Sequence, residues 1–415
     1  MIAAIRRTPR RATMALVLGA FGALWLLGAV GSGEPGSEAP AQVAPGGPHR
    51  VWVTDRLWHH SALFDGDTAQ VLGMIDAPYV TVTPKLPMHA HRRGEIYSVD
   101  LAYSRGDRGE RTDFITIYDD RTLSVTGEIV LPSHTGDSNS SIAYAALLDG
   151  ERFVVTFNQF PLASVSITDV EQRRFVGAVP ITGCAGVYPT GERSFATLCG
   201  DGTAMEVALD SDGRGHVTGH TERFFDPVED PVTMAGVRWG SRWVFASFEG
   251  HAHIVDFAPD TPQVAAAWSL FSDEERDERW RVGGLQHLAL HAATGRLFSL
   301  VHHGERGSHK APGREVWVYD LAQRQQVARF TLPNFMAAYA TPQFGVTSGG
   351  WFHRTLQRWI PSDGAHSLVV TQDGAPLLFV RNAEVGVVAV LDARSGEHLR
   401  NLENAGIAGP TLGVD

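Results

Sequence analysis

The chain contains 415 residues, of which 43% are hydrophobic and 20% charged, a globular composition that excludes a disordered or fibrous protein. The 46 acidic residues outnumber the 35 Lys and Arg residues, giving a formal net charge of −11. This charge argues against nucleic acid as a partner, because nucleic-acid binding depends on basic side chains that displace counterions. Two cysteines are too few for a disulfide-based scaffold or a zinc site built on thiolates.

Residues 1–31 have the pattern of a secretory signal peptide. Several arginines precede an uncharged apolar run from Met14 to Val30, and small residues follow it. The run is shorter than the roughly 20 apolar residues of a membrane span, so we expect a signal peptide, with an uncleaved anchor as the alternative. Residues 32–48 are rich in Gly, Pro, Ala, Ser and Glu, which predicts a flexible linker. The folded part is therefore expected to cover residues 49–415 and to lie outside the cytoplasm.

From Val51 onward the chain consists of short runs rich in Val, Ile, Phe, Trp and Thr that are broken by Gly, Asp and Pro, as is typical of β-strands. One element recurs seven times: an apolar strand that ends in Asp, a polar turn and a second apolar strand. The recurring aspartates are Asp65, Asp119, Asp169, Asp210, Asp256, Asp320 and Asp392. An Asp carboxylate suits this turn because it accepts hydrogen bonds from backbone N–H groups two residues further on.

Repeats of about 40 to 70 residues, each holding about four short strands, are typical of β-propeller blades. Seven copies predict an all-β fold, a seven-bladed β-propeller. Because a blade cannot bury both of its faces alone, residues 49–415 are expected to form a single domain. A pair of β-sandwiches is the rival all-β fold, but the regular repetition along the whole length disfavours it.

Two segments interrupt the repeated pattern. The residues from Ser272 to Arg281 are densely charged and predict a short exposed helix with Ser272 as its N-cap. Residues 334–362 form a long insertion before the last blade. Long loops on a propeller are more often functional or interface elements than linkers, although the sequence does not define the role of this one.

Cys184 and Cys199 lie on either side of a turn signal, Pro189–Gly191. In an oxidising compartment, two strands joined by such a turn can be bridged by a disulfide. Two buried thiols are the alternative that the sequence leaves open.

Motifs for catalysis are missing: the chain has no nucleophile elbow, no phosphate-binding loop and no dinucleotide fingerprint. His89 and His91 share one strand face, as do His251 and His253, but no acidic or cysteine partner at ligand spacing accompanies either pair. A structural or exposed role is therefore favoured over metal binding. The sequence predicts no catalytic residue and no metal site in this chain, as expected of a scaffold or binding module.

Several stretches go beyond the generic repeat: Val71–Asp76, Tyr103–Arg105, Arg108–Phe114, Trp280–Gly284, Gln286–Ala289 and His309–Lys310. In combination they resemble the heavy subunit of the tryptophan tryptophylquinone amine dehydrogenases, from about Val51 to the C-terminus. Cys184 and Cys199, with Tyr188–Thr190 between them, are similar to a disulfide hairpin of this family. The resemblance therefore implies a disulfide between the two cysteines.

The resemblance also implies a periplasmic subunit that pairs with a small, disulfide-rich light subunit in an α2β2 heterotetramer. The tryptophan tryptophylquinone cofactor of this family lies in the light subunit, so none is expected in this chain. The complete enzyme would oxidise a primary amine to an aldehyde and ammonia and pass the electrons to a small copper protein. The heavy chain would dock the light subunit and form a wall of the substrate channel. The resemblance does not define which amine is the substrate.

In this family an aromatic residue of the first-blade segment lines the substrate channel. Here that segment, Asp55–Ser61, is shorter than the family pattern, and Trp58 is the nearest match, with His59 next to it. Trp58 and His59 are therefore the predicted channel residues, with ordinary core or rim packing of Trp58 as the alternative. The alternative function for the whole chain is a stand-alone periplasmic propeller that binds a partner without redox activity.

Overall fold

The computed structural model describes residues 42–44, 47–76, 85–132, 134–135, 141–259, 261–343, 355, 363–407, 409 and 411–415. The predicted signal peptide, most of the predicted linker and most of the 334–362 insertion lie outside the described residues. Within the described part, none of the helices has the length and apolarity that crossing a membrane requires.

Short strands make up about half of the described residues. Those of the first four blades are β1 Arg50–Asp55, β2 His60–Asp65, β3 Val71–Asp76, β4 Met88–Ala90, β5 Glu95–Tyr103, β6 Arg111–Asp119, β7 Val125–Leu131, β8 His134–Thr135, β9 Ala145–Leu148, β10 Phe153–Phe160, β11 Ser164–Asp169, β12 Arg174–Pro180, β13 Cys184–Pro189, β14 Ser194–Cys199, β15 Ala204–Leu209 and β16 Gly215–His220. A 3₁₀ turn, Ile142–Tyr144, precedes β9.

The remaining strands form blades 5 to 7 and return to blade 1. They are β17 Val237–Trp239, β18 Arg242–Ala246, β19 His251–Asp256, β20 Gln263–Val264, β21 Trp268–Ser269, β22 Trp280–Val282, β23 Leu288–His291, β24 Arg296–His303, β25 Glu315–Asp320, β26 Gln325–Thr331, β27 Ser367–Val370, β28 Leu377–Asn382, β29 Val387–Asp392, β30 His398–Leu402 and β31 Leu412–Val414. Among the described residues, helix α1 covers Asp273–Asp277 and helix α2 covers Phe335–Gln343.

The strands form seven separate sheets of four or five strands, whose paired strands are antiparallel. Six sheets follow the chain order from their inner to their outer strand, for example β4-β5-β6-β7 and β27-β28-β29-β30. The sheet of blade 1 has the order β3-β2-β1-β31, so its inner strand comes from the far end of the sequence. The predicted seven-bladed β-propeller is thus confirmed, and the ring is closed by β31.

Ring closure is reinforced by a side chain that hydrogen-bonds to the backbone of β31, as a neighbouring strand would. The amide of Gln286 donates to the carbonyl oxygen of Leu412 at 2.9 Å and accepts from its N–H at 3.0 Å. Gln286 is buried, and it lies in blade 6 next to a bridge to Ser367 of blade 7. A buried backbone group without a partner is costly, so this amide satisfies two polar groups of β31 that the sheet leaves unpaired.

Each of the seven aspartates of the repeat ends the third strand of its blade and accepts hydrogen bonds from the backbone of the turn that follows. Asp392, for example, accepts from the N–H groups of Arg394 and Ser395 at 2.9 and 2.8 Å. The other six aspartates make the same kind of bond. The side of the propeller that carries these turns is called the Asp-turn face below, and the opposite side, where the second strand of each blade leads into the third, is called the loop face.

The apolar core lies between the blades. Seven clusters of buried apolar side chains are found in the described residues, and each is shared by two neighbouring blades. In the cluster between blades 1 and 2, Trp52 and Ile75 pack with Ile96 and Tyr118. Because every blade uses both neighbours to cover its faces, the ring folds as one domain.

Two details outside the blades refine the predictions from sequence. Helix α1 has a capping box, in which the hydroxyl of Ser272 accepts from the N–H of Glu275 at 3.2 Å. The helix is shorter than predicted, because Trp280 and Arg281 already belong to β22. At the end of the predicted linker, the N–H of Val43 donates to the Arg121 carbonyl at 2.6 Å, so this residue contacts blade 2.

Candidate functional site

The first-blade loop of residues 56–59, which includes both predicted channel residues, lies on the loop face. Asp55, at the end of β1, is fully buried, and its Oδ1 accepts from the N–H groups of Leu57 and Trp58 at 2.6 and 2.8 Å. The second oxygen, Oδ2, accepts from the N–H of Ile407 at 2.6 Å. One carboxylate therefore fixes the first-blade loop and joins it to the connection between blades 7 and 1.

A buried arginine holds the end of β1, where the same loop begins. Arg381 in β28 is fully buried, and its Nη1 donates to the carbonyl oxygen of Thr54 at 2.7 Å. Its Nη2 donates to the carbonyl oxygens of Ala405 and Gly406 at 3.3 and 3.2 Å. Burial lowers the pKa of Arg381 and the charge of Asp55 opposes this, and the net result is a pKa of about 10. The guanidinium thus ties the end of β1 to the 403–407 segment.

Trp58 itself projects from this supported base. It is 68% exposed and Leu57 is 52% exposed, so neither side chain belongs to the core. His59 is half-buried and has a positive φ of 53°, which turns the chain back into β2. The structure brings Trp58 and His59 together at the rim of the loop face, and their role in a substrate channel stays a prediction.

Exposed large apolar side chains are unevenly distributed over the described residues. Seven of them lie in connections or strand ends of the loop face: Leu57, Trp58, Phe160, Leu162, Val228, Met336 and Tyr339. Seven others lie on the outermost strands of the blades, and Leu285 lies on the inner edge of blade 6. The described part of the Asp-turn face has none in its turns. Of the two faces, the loop face alone carries such side chains in its described connections and strand ends, which makes it the candidate interaction surface.

The connection between blades 4 and 5 is also fixed on the loop face by a carboxylate. Oδ2 of Asp230 accepts from the Ser247 hydroxyl at 2.7 Å and lies 2.9 Å from Nδ1 of His251, while Oδ1 accepts from the N–H of Glu249 at 2.8 Å. Burial raises the pKa of Asp230, but these hydrogen bonds outweigh it and hold the pKa below its usual range. His253 lies deeper, with its ring centroid 6.5 Å from that of His251. The contact with Asp230 thus holds the ring of His251 against this connection.

The other histidine pair has acidic neighbours that the sequence spacing does not reveal. Nδ1 of His89 lies 2.6 Å from Oδ1 of Asp415, which is 326 positions away in the sequence. Nε2 of the same ring lies 3.2 Å from Oδ2 of Asp120. Only the closure of the ring by β31 brings Asp415 to this place, so no local sequence signal could have found it.

The cysteines form the disulfide that the family resemblance implies. Cys184 in β13 is paired in register with Cys199 in β14, and the two sulfurs are bonded. The alternative of two buried thiols is therefore wrong. The bond joins the two inner strands of blade 4.

Neither indole of the described tryptophan pair is open to an amine. The rings of Trp280 and Trp317 have centroids 4.8 Å apart, but the side chains are buried, with 7% and 0% exposure. Phe271 packs against Trp317 at 5.4 Å, and the guanidinium of Arg329 lies over the same ring at 3.9 Å. These surroundings do not fit a quinone built from this pair.

Comparison with known families gives one match along most of the propeller. Residues 48–343 match the family model of the methylamine dehydrogenase heavy chain. The methylamine dehydrogenase heavy chain of Methylorubrum extorquens is 26% identical over 356 residues, which cover 83% of this chain and 85% of that protein. The heavy chain of Paracoccus versutus is 25% identical over 382 residues, with 90% and 80% covered. The resemblance stated from the sequence is confirmed.

Solved structures share the fold at low sequence identity. A protein of unknown function from Desulfotomaculum acetoxidans has a TM-score of 0.56 and 14% identity, with 88% of this chain and 98% of that chain covered. A putative 6-phosphogluconolactonase from Bacteroides fragilis has a TM-score of 0.54 and 9% identity, with 92% and 99% covered. At this identity the likeness concerns the propeller architecture alone.

Proposed function

Because the chain belongs to the methylamine dehydrogenase heavy chain family, we propose that it is the heavy subunit of a periplasmic amine dehydrogenase. It docks a light subunit that carries tryptophan tryptophylquinone, in an α2β2 heterotetramer. The complex oxidises a primary amine with water to an aldehyde and ammonia with release of two protons, and the two electrons pass one at a time to a small copper protein. The quinone in the light subunit supplies the electron-accepting chemistry, and this chain supplies the docking surface and a wall of the channel.

The observation that carries this proposal is the set of exposed apolar side chains on the loop face. Leu162 and Val228, which are 68% and 80% exposed, lie on two different connections of that face. Such side chains are unfavourable in water and favourable in an interface, where burial of apolar surface contributes about 25 cal/mol per Å². We therefore propose that the light subunit docks on the loop face.

Trp58 and His59 lie on the same face, on a loop that Asp55 holds by two backbone hydrogen bonds and joins by a third to Ile407. A wall residue discriminates between substrates only if its position is fixed, because a mobile side chain yields to a larger ligand. The buried carboxylate and the guanidinium of Arg381 supply this support. In the proposed complex, the Trp58 indole limits the width of the amine channel and His59 lies beside it.

The first test concerns partners. We expect the gene for a small cysteine-rich chain, and one for a disulfide-handling maturation protein, beside the gene for this chain. Co-expression of the two chains should give a complex that reduces a redox dye when a primary amine is added, whereas this chain alone should show neither quinone absorbance nor turnover. A chain that purifies alone, without such neighbours, would instead support the stand-alone propeller.

The second test locates the interface. Leu162→Asp and Val228→Asp each place a charge on the loop face, and Val217→Asp is the matched control on the outermost strand of blade 4. Because burying an unpaired charge is costly, we expect the two loop-face variants to bind the light subunit about tenfold more weakly or worse. The control should bind as the unmodified chain does. Equal binding by all three variants would remove the light subunit from the loop face.

A further inference from the structure

A cluster of histidine and carboxylate side chains lies on the Asp-turn face, at the inner strands of blades 1 and 2. His89 lies in β4, His91 directly after it, and Asp415 directly after β31. Each of the three offers a ligand atom within 4.8 Å of the ligand atoms of the other two. Across the part of the chain that the structure describes, no other three such side chains come together in this way.

The ring of His89 is held in the manner of a metal ligand. Its Nδ1 faces Asp415 at 2.6 Å, and its Nε2 lies 3.2 Å from Oδ2 of Asp120. A histidine that binds a metal through one ring nitrogen usually donates the other N–H to a carboxylate, which fixes both the ring and its tautomer. Asp120 is placed to accept that proton. The ring centroid of His91 is 3.8 Å from that of His89, and one nitrogen of each ring lies within 4.8 Å of the other.

The carboxylate of Asp415 is also held from outside the cluster. Its Oδ1 accepts from Nε1 of Trp52 at 3.2 Å, and its Oδ2 lies 3.3 Å from Nη1 of Arg50. Arg50 therefore partly neutralises one oxygen, whereas the other faces His89. The carboxylates of Asp415 and Asp120 thus place negative charge on both sides of the His89 ring.

We propose that His89, His91 and Asp415 bind a divalent first-row transition-metal ion, for which zinc is the probe. Two imidazole nitrogens and one carboxylate oxygen are ligands that zinc accepts, with water in the remaining position. The ion would join the strand that closes the ring to the inner strand of blade 2. It would therefore be a structural ion on the face opposite to the proposed light-subunit interface.

The test measures zinc binding by the full chain, purified without a histidine tag. Titration against a chromophoric chelator, with the metal content determined by mass spectrometry, should give one zinc ion per chain. Zinc should also raise the melting temperature, and a chelator should reverse the increase, because an ion that binds only the folded state stabilises it. Neither measurement depends on amine oxidation, so the outcome is independent of the proposed function.

Three variants separate a specific site from surface binding. His91→Ala removes an exposed ligand, so it should fold normally and bind zinc at least about tenfold more weakly. Asp120→Asn keeps the shape of the supporting carboxylate and should weaken binding about tenfold. His216→Ala, on the exposed outer strand of blade 4, is the control and should bind zinc unchanged. Unchanged binding by His91→Ala, or no zinc-dependent stabilisation of the unmodified chain, would overturn the proposal.

Discussion

Replacing Trp58 by alanine should alter amine selectivity and leave the propeller almost as stable as before. Trp58 is 68% exposed, so about a third of its surface is covered in the folded chain. A fully buried aromatic side chain covers roughly 150–250 Å², and burial contributes about 25 cal/mol per Å². The covered part of Trp58 is therefore worth about 1–2 kcal/mol at most, since areas measured against an extended chain are upper bounds.

Trp52→Ala is the matched comparison for stability. Trp52 is 1% exposed and packs in the cluster between blades 1 and 2. Truncation of a buried tryptophan typically costs about 3–5 kcal/mol, because it removes contacts and leaves a cavity. Chemical denaturation of both variants should therefore show a clearly larger loss of unfolding free energy for Trp52→Ala.

The selectivity readout is the ratio of kcat/KM for a bulky amine to that for a small amine, measured on the two-chain complex by dye reduction. A difference of one methylene-sized group in a pocket is worth about 1–3 kcal/mol, which corresponds to about 10–200-fold. We expect the ratio to rise within this range in Trp58→Ala. Single-turnover reduction of the quinone by the best substrate should change far less, because Trp58 does not take part in the chemistry.

Two results would refute this reasoning. An unchanged amine preference would exclude Trp58 from the channel wall. A loss of stability as large as that of Trp52→Ala would show that the side chain is buried in solution, contrary to its exposure in the structure.

Three further predictions concern stability. Replacing both Cys184 and Cys199 by serine should lower the unfolding free energy by about 3 kcal/mol, because the disulfide closes a loop of 15 residues. Denaturant titration without reductant measures this loss, and an unchanged unfolding midpoint would contradict the prediction. Gly406→Ala should destabilise the chain by about 1–3 kcal/mol, because Gly406 has a φ of +74° and a Cβ there would lie 2.1 Å from Oδ2 of Asp55. A melting temperature equal to that of the unmodified chain would contradict this close approach. Burial lowers the pKa of His287 from 6.5 to about 4, so on acidification the unfolded chain binds a proton at this histidine before the folded chain does. The unfolding free energy should therefore fall by roughly 3 kcal/mol as the pH drops from 6.5 to 4. His287→Gln should show a shallower acid dependence in the same titration, and an identical slope would refute the assignment.

The repeat could be predicted from the sequence because its signals are local. Each aspartate at a strand end accepts hydrogen bonds from residues two or three positions further on, so a window of ten residues contains the whole interaction. The cap of α1 by Ser272 is local in the same way. Seven copies of a local signal then define the number of blades, and the number of blades defines the ring.

The remaining features depend on contacts between distant parts of the chain. The side chain of Gln286 pairs with Leu412 across 126 positions, and no periodicity of either segment indicates this. The acidic neighbour of His89 is Asp415, which becomes a neighbour only after β31 joins blade 1. The turn between the two cysteines and an oxidising compartment favour a disulfide, and the family likeness implies it, but the spacing alone leaves buried thiols as an alternative. The exposure of Trp58 depends on what the first-blade loop packs against in the folded chain, and the sequence alone does not define this.

The closure of the ring by β31 has a consequence for the order of events during synthesis. The indole of Trp52 in β1 donates to Oδ1 of Asp415, which lies 363 positions later. At about 5–20 residues per second, a ribosome needs roughly 20–70 s to make the intervening chain. During that time the inner edge of β1 has no partner strand, and an unpaired strand edge is a site of aggregation.

The long sequence separation affects the kinetics of folding more than the equilibrium stability. Each doubling of a loop adds only about 0.6 kcal/mol to the entropy cost of closing it. Chaperones that bind extended chains during synthesis would therefore bind the nascent first blade, whose strand edge stays unpaired until β31 is made.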